Sequence, residues 1–96
     1  MTFRIRIIIN AVKISLTTKI KIYTKHRVTM DEIEKVMLQD KPYFAKTKFG
    51  RYVAVGKWNR CLTIVFDYNE KYKEATIITA YPSTKWQIKL YKRKIK

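Results

Sequence analysis

Three strand-like segments follow one another between residues 51 and 82, and they limit the possible folds more than any other part of the chain. Val, Ile, Thr and aromatic residues dominate residues 51–58, 61–68 and 75–81, as expected for strands. The connections are short, so neighbouring segments are predicted to pair antiparallel as a meander. Both faces of the middle segment are largely apolar, which predicts a central strand. Pro82 is expected to end the last one.

A helix is predicted over residues 29–39. Thr29 is followed three residues later by Glu32, which is the spacing of a capping box. Apolar residues then repeat at the spacing of a buried helical stripe, namely Met30, Ile33, Val36 and Met37. Asp31, Glu32 and Glu34 lie in the first turn, where the helix dipole favours negative charge. A buried core face is the simplest interpretation of the stripe.

A second helix is predicted from Lys85 to about Arg93. Ser83 and Thr84 can cap its start. The side chains expected to dock it on the sheet are Trp86, Leu90 and Tyr91. Tyr43 to Phe49 is expected to be a loop or a short strand.

The N-terminal segment alternates apolar and polar residues over 12–16 and again over 19–23, which predicts strands. Residues 1–19 are predicted to form an edge strand, an extra hairpin or a poorly ordered extension. Residues 20–96 are predicted to form the main domain. The predicted fold is a small single α+β domain. Its antiparallel β-sheet, a three-strand meander plus one or more N-terminal strands, is packed by one central and one C-terminal α-helix.

Basic residues greatly outnumber acidic ones, with 22 Lys and Arg against 7 Asp and Glu and a net charge of +15. Such an excess favours a polyanionic partner, above all a nucleic acid. A Lys-rich surface from a biased genome is the alternative, but it would bring many Glu residues as well. Residues 1–27 and 75–96 contain no acidic residue. Both ends of the chain are therefore purely cationic.

Metal and cofactor sites are not expected. His26 and Cys61 are the only histidine and cysteine, which is too few for a zinc set. There is no glycine-rich phosphate loop. Cys61 is predicted to be a packed, reduced thiol in a cytoplasmic protein. The apolar run near the N-terminus is too short to cross a membrane, and no membrane partner is expected.

A basic, aromatic and hydroxyl-bearing set remains as the candidate for chemistry. Cleaving RNA without a metal requires a base for the 2′-hydroxyl, positive charge for the phosphorane and an acid for the leaving oxygen. Imidazole titrates near neutrality, which makes His26 a candidate, although a lone histidine is more often structural. Tyr81 and Ser83 cluster where the last strand ends. Tyr23, Tyr52, Trp58 and Tyr81 are able to stack bases or to serve as ordinary sheet packing.

Several segments, in order, resemble BrnT-type toxins. Residues 25–29, Lys-His-Arg-Val-Thr, lead into an acidic helix start and resemble that family's Lys-His-Gly-Val-Ser opening. Residues 51–57, Arg-Tyr-Val-Ala-Val-Gly-Lys, are similar to its first meander strand, and residues 62–66 fit the next. Residues 77–80, Ile-Ile-Thr-Ala, resemble its Ile-Ile-Ser-Ala strand, and Thr84-Lys85 with Tyr91 match its terminal helix in spacing. The resemblance covers most of the chain, from residue 20 to 91.

The resemblance implies a fold and activity of the RelE-like superfamily of small metal-independent ribonucleases, controlled by an acidic antitoxin. Three positions depart from the pattern. Arg27 replaces a Gly, Tyr81-Pro82 replaces an Arg, and Gln87 replaces an acid. Phosphate stabilisation is therefore expected from Arg27, Arg51 or Lys57.

The predicted function is a toxin-like endoribonuclease acting on RNA, with ribosome-bound mRNA as one candidate form of the substrate. The alternative is a non-catalytic, basic nucleic-acid-binding protein of the same fold. The predicted catalytic residues are His26, Lys25, Arg51, Lys57 and Tyr81. The residues predicted to bind nucleic acid are Arg27, Lys46, Lys48, Trp58, Arg60, Ser83, Lys85 and Lys89. A cationic surface for an acidic protein partner is a third interpretation, and the sequence leaves the oligomeric state open.

Overall fold

The computed structural model describes residues 2–5, 7–39, 42–47 and 50–94. Within these residues, six strands form a single mixed sheet, and three α-helices pack on it. In chain order the elements are β1 (Thr2–Ile5), β2 (Ala11–Lys13), α1 (Leu16–His26), α2 (Met30–Glu34) with a π-helical turn (Lys35–Gln39), β3 (Tyr43–Thr47), β4 (Tyr52–Lys57), β5 (Cys61–Asn69), β6 (Glu74–Pro82) and α3 (Lys85–Lys94). The predicted α+β class is confirmed.

The predicted meander is confirmed as the centre of the sheet, whose strand order is β1-β3-β4-β5-β6-β2. Ala54 of β4 lies opposite Ile64 of β5, which lies opposite Ala80 of β6. In β5, Leu62, Thr63 and Ile64 are all fully buried, so this strand is covered on both faces. Burial on both faces explains why its sequence lacks a polar side.

The strand predicted over residues 19–23 is wrong, because these residues lie in α1. Ser15 caps the helix by accepting a hydrogen bond from the Thr18 backbone N–H at 3.1 Å. Ile20 and Ile22 produced the alternation of a strand, but only Ile22 is buried. The alternation over residues 19–23 therefore did not reflect a single buried face.

The sheet is mixed rather than antiparallel. The N-terminal segment supplies both edge strands, because β1 pairs antiparallel with β3 while β2 pairs parallel with β6. Between them, Ile7 and Ile9 pack against the core, and the Tyr68 hydroxyl donates to the Ile8 carbonyl at 2.6 Å. The predicted boundary between residues 19 and 20 falls inside α1, so the edge strands and the helices belong to one continuous fold.

The two faces of the sheet carry different helices. α1, α2 and the π-helical turn cover one face, where Ile33, Val36 and Met37 are buried as the stripe predicted. The Thr29–Glu32 capping box is present as predicted. On the other face, Tyr91 of α3 packs with residues of β3 and β4.

The predicted docking role of Trp86 is wrong. This side chain is 66% exposed, although it lies in the first turn of α3. Tyr91 anchors the helix instead, and the side chain of Leu90 lies outside the described residues. A large aromatic ring is therefore left in solvent at the start of α3.

Gly56 permits the close packing of the π-helical turn on β4. A Cβ atom at this position would lie 2.7 Å from Cγ1 of Val36 and 3.2 Å from Cβ of Pro42. Val36 is fully buried and has no room to move aside.

We expect Gly56→Ala to lower the free energy of unfolding by about 1–3 kcal/mol, measured by chemical denaturation. In a V36A/G56A double variant the smaller side chain should relieve this overlap, so additive losses would contradict the explanation.

Candidate functional site

The fold brings His26 and Tyr81 side by side. His26 is the last residue of α1, and Tyr81 lies at the exit of β6. Their ring centroids are 5.9 Å apart, with the planes inclined by 51°. These residues are 55 positions apart in the sequence, and both were predicted as catalytic.

A basic cleft lies beside this pair. It has a volume of about 190 Å³ and runs between α1 and the exit half of β6. Its polar lining includes Lys21, Lys25 and His26, while Ile78 and Thr79 contribute the β6 side. β2 pairs with β6 only at residues 74–76, so beyond them α1 flanks β6. Lys25 and His26 thus line one cleft, as neighbouring members of the predicted catalytic set.

A hydrogen-bond network holds the hydroxyl of Tyr81 in place. The Gln87 side chain donates through Nε2 to the Tyr81 hydroxyl at 3.2 Å. Gln87 Oε1 accepts from the Thr63 hydroxyl at 2.8 Å and from the Thr84 backbone N–H at 2.9 Å. Thr63 donates its single hydroxyl proton to Gln87, so Ser83 is the donor in the 2.9 Å bond between Ser83 and Thr63.

Thr63 and Gln87 belong to the site, although neither was among the predicted site residues. Gln87 had a recognisable signal, because Thr84 and Gln87 have capping-box spacing. The structure contains this box, with the Gln87 backbone N–H donating to Thr84 Oγ1 at 3.3 Å. Thr63 had only a weak signal, a hydroxyl in an otherwise apolar stretch of the central strand. The network therefore links β5, the exit of β6 and the start of α3.

Arg27 and Arg60 join the end of α1 to the start of α2. Arg27 is the C-cap of α1 in the left-handed region, with φ 55°. Its carbonyl accepts a 2.7 Å hydrogen bond from Arg60 Nη2. The Arg60 guanidinium also donates to both carboxylate oxygens of Glu32, at 3.1 and 3.2 Å. Arg60 therefore fixes this corner of the fold, in addition to its predicted role in nucleic-acid binding.

The environment of Glu32 favours its charged form. Partial burial acts to raise the pKa of this carboxyl group, but the hydrogen bond from Arg60 opposes it. The Thr29 backbone hydrogen bond, the Arg60 charge and the Thr29 hydroxyl act in the same direction as the Arg60 hydrogen bond. The net result is a Glu32 pKa below its ordinary value of 4.5.

Arg51 lies at the end of the meander opposite Tyr81. It precedes β4 and forms a 3.3 Å ion pair with Asp67 of β5. Asp67 is four positions along β5 from Thr63, which lies opposite Tyr81, a span of roughly 13 Å. Lys46 is near Arg51, with its Nζ atom 5.3 Å from the centroid of the Tyr52 ring. The fold does not bring these two basic residues to His26.

Lys57, from the predicted catalytic set, and several of the predicted binding residues lie at the Tyr81 end of the sheet. Lys57 ends β4, where the adjacent Gly56 aligns through β5 with Pro82 of β6. The half-exposed Trp58 follows, with Lys35 Nζ 5.0 Å from its ring centroid. Lys85 and Lys89 are exposed on α3. The last predicted basic residue, Lys48, lies outside the described residues.

The exposed Trp86 lines a shallow groove on the α3 face of the sheet. The groove has a volume of about 100 Å³ and is mainly apolar. Its lining consists of Tyr43, Ala45, Val53, Val55, Tyr81, Trp86 and Gln87. Tyr81 lines this groove and His26 lines the cleft, so the contact between their rings connects the two.

Two other kinds of feature are absent from the described residues. Among the described residues, no three His, Cys, Asp or Glu side chains are close enough together to hold a metal ion. In the same part of the chain, no helix has the length and apolar character needed to cross a membrane. Cys61 is a half-buried free thiol at the margin of the α3-side core.

Comparison with protein-family models, curated proteins and solved structures gives no significant match for this chain. The inference of function therefore depends on geometry, charge and the sequence resemblance.

The pH dependence of stability tests the role of Glu32. Glu32→Gln keeps the shape of the side chain and its capping oxygen but removes the charge. A lowered folded-state pKa means that the charged form contributes stability above the unfolded pKa, and that this is lost as the pH falls through the folded pKa. We expect E32Q to lose on the order of 1 kcal/mol at pH 7, measured by urea unfolding, and the difference from wild type to shrink below pH 4.5.

The control for this experiment is Glu34→Gln, an exposed carboxylate on the same helix. It should change stability little at either pH. A deficit in E32Q that is equally large in acid would show that shape, rather than charge, accounts for the contribution of Glu32.

Proposed function

We propose that this protein is a toxin-like endoribonuclease that binds single-stranded RNA at the His26 end of the molecule and cleaves it. The observation that carries the proposal is the contact between His26 and Tyr81 beside a cleft that contains Lys21 and Lys25. A proton-accepting imidazole, a phenol and two ammonium groups match the demands of phosphodiester cleavage. The resemblance to RelE-like ribonucleases implies that no metal takes part.

In the proposed reaction, His26 takes the proton of the RNA 2′-hydroxyl as that oxygen attacks the phosphorus. Lys21 and Lys25 stabilise the added negative charge on the phosphorane. The bond from phosphorus to the 5′ oxygen breaks, and Tyr81 donates a proton to this leaving oxygen. The products are a 2′,3′-cyclic phosphate and a 5′-hydroxyl, and solvent exchange restores both side chains.

The Gln87 network supports the role assigned to Tyr81. A catalytic group must be held in a defined position to act efficiently. Gln87 donates to the Tyr81 hydroxyl and is itself held by Thr63 and Thr84. Because Gln87 supplies the donor, the phenol proton remains directed elsewhere, as an acid requires.

RNA binding is proposed to continue from the cleft along α3. Trp86 offers an exposed ring for base stacking, and Lys85 and Lys89 are exposed on the same helix. The overall charge of +15 would attract the phosphate backbone over a longer range. Stacking reads no base edges, so this part of the surface would tolerate many sequences.

Control by an acidic antitoxin in the cytoplasm is the regulatory part of the proposal. It comes from the resemblance to BrnT-type toxins, and the backbone of Arg27 lends it support. The family pattern has Gly at this position, and φ at Arg27 is 55°, a conformation that glycine adopts without strain. The backbone conformation at residue 27 therefore suits the Gly of the family pattern, although this chain has Arg at that position.

The second candidate function is RNA binding without cleavage by a protein of the same fold. The pairing of Arg51 with Asp67 and of Arg60 with Glu32 favours it. Tyr81 also occupies the position where the family has an arginine. Charge stabilisation in the cleft would then depend on lysines, which cannot form the bidentate contacts of a guanidinium.

Cleavage of RNA separates the two candidates. In buffer with EDTA, wild-type protein should cut a labelled single-stranded RNA and leave 2′,3′-cyclic phosphate ends. His26→Ala should slow this by about 10²–10⁴-fold, the usual contribution of a general acid or base. Tyr81→Phe should slow it less, because water can supply the proton in place of the phenol.

Lys71→Ala removes an exposed charge in the β5–β6 turn, at the opposite end of β6 from Tyr81, and should leave the rate within about twofold, as expected for a surface charge. If the folded wild type leaves RNA intact, or if H26A cuts as fast as wild type, the enzymatic proposal is wrong. The second candidate function, RNA binding without cleavage, would then remain.

Salt dependence of binding distinguishes phosphate contacts from stacking. We expect the logarithm of the affinity for a short labelled RNA to fall linearly with the logarithm of salt concentration, measured by fluorescence anisotropy. K21A/K25A should reduce this slope by about 1.4, because each phosphate that is no longer neutralised accounts for roughly 0.7. Trp86→Ala should weaken binding about tenfold with the slope unchanged, because stacking is worth about 1–3 kcal/mol per base.

Tyr72→Ala is the matched control, since Tyr72 is an exposed aromatic residue in the turn at the other end of β6. Its affinity should equal that of wild type. Binding that is insensitive to salt, or an equal loss of affinity in Y72A and W86A, would contradict the proposed interface.

A further inference from the structure

α1 exposes a stripe of three large apolar side chains to solvent. Leu16, Ile20 and Tyr23 are 72%, 56% and 48% exposed. Their spacing of four and three residues places them on one face of the helix. The helix docks on the sheet through a different face, where Ile22 is 3% exposed. The apolar stripe, as we call Leu16, Ile20 and Tyr23, is therefore not needed to hold α1 in place.

The apolar stripe is also separate from the RNA cleft. Lys21 and Lys25, which line the cleft, lie on the side of α1 away from the stripe, since successive residues turn by about 100°. Scattered exposed apolar residues are common on protein surfaces, but a row of them at helical spacing is typical of a helix that binds another helix.

We propose that the apolar stripe is the docking surface for an amphipathic helix of an acidic partner protein. The charge around the stripe identifies the chemistry of the partner. Residues 1–27 contain seven basic residues and no acidic one. Lys19 lies beside the stripe on α1, and the Arg27 guanidinium lies 5.4 Å from the centroid of the Tyr23 ring at its C-terminal end. Carboxylates flanking the apolar face of a partner helix would meet both cations.

Other occupants fit the stripe less well. A second copy of the chain would bring two strongly cationic surfaces together, each from a molecule of charge +15. A lipid surface would have to accommodate the Arg27 guanidinium, which is stacked against one of the three apolar side chains. RNA has no aliphatic surface to cover Leu16 and Ile20.

The position of the stripe has a consequence for regulation, which rests on the proposed function. Tyr23 lies one helical turn before His26. A partner helix seated along the stripe would end close to His26, at the C-terminal end of α1, and would restrict the access of RNA to that residue. The binding surface itself does not depend on catalysis, so its test uses no RNA.

The test uses a synthetic helical peptide of about three heptads, with Leu at the core positions and Glu at the flanking ones. A second peptide has the same Leu positions with Lys at the flanks. We expect wild-type protein to bind the Glu peptide, but not the Lys peptide, in a fluorescence anisotropy titration. L16K/I20K should weaken binding of the Glu peptide at least about tenfold, because two aliphatic side chains no longer cover the partner helix.

The matched control is I8K/Y72K, which replaces two exposed apolar residues elsewhere and adds the same two charges. It should bind the Glu peptide within about twofold of wild type, and circular dichroism should show that both variants are folded. Because both double variants gain positive charge, weaker binding confined to L16K/I20K reports the apolar surface rather than electrostatics.

Several results would overturn the proposal. One is a wild-type protein that does not bind the Glu peptide, and another is equal binding by L16K/I20K and I8K/Y72K. Sedimentation that shows a wild-type dimer abolished by L16K/I20K would assign the stripe to self-association. Flotation of wild type, but not L16K/I20K, with phosphatidylcholine vesicles at high salt would assign it to a lipid surface.

Discussion

The burial of the Thr63 hydroxyl is the constraint on which the candidate site depends. Thr63 is fully buried in the central strand, where an unpaired hydroxyl would cost about 1–3 kcal/mol. Gln87 and Ser83 satisfy it. Because the same Gln87 side chain caps α3 and binds the Tyr81 hydroxyl, satisfying one buried group fixes the start of the helix and the candidate acid together. The side-chain amide of Gln87 thus connects the packing around Thr63 with the position of the candidate acid, Tyr81.

The scarce carboxylates shape the electrostatics of the rest of the molecule. Glu32, Asp67 and Glu74 each pair with a basic side chain in the described part of the chain. Glu32 joins the α1–α2 corner, while the other two lie toward the β5–β6 turn, away from Tyr81. Lys21, Lys25, Lys85 and Lys89 are left around the His26 end without a neighbouring acid in the sequence. Basic side chains therefore predominate at the cleft and on α3, which suits a polyanionic ligand.

How much of the fold could be predicted depended on whether its cause was local. The meander and the Thr29–Glu32 box were predictable, because strand periodicity and capping act over a few residues. The direction of the strands in the meander also indicates which basic residues lie near Tyr81. In an antiparallel three-strand sheet, the first and third strands run in the same direction, so the end of β6 lies near Lys57 and far from Arg51. The His26–Tyr81 contact was not predictable, since it requires the packing of α1 against β6.

The residues whose environment was wrongly predicted from the sequence pattern share a physical property. Ile20 and Tyr23 were interpreted as strand residues because of the alternation around them, and Trp86 as a docking residue because of its helical spacing. All three are exposed in the isolated chain. Hydrophobic periodicity reports which side chains gain from leaving water, whatever surface covers them. A strand assignment for residues 19–23 was therefore wrong about the backbone, while the pattern that produced it still marks side chains that a partner helix or a stacked base would bury.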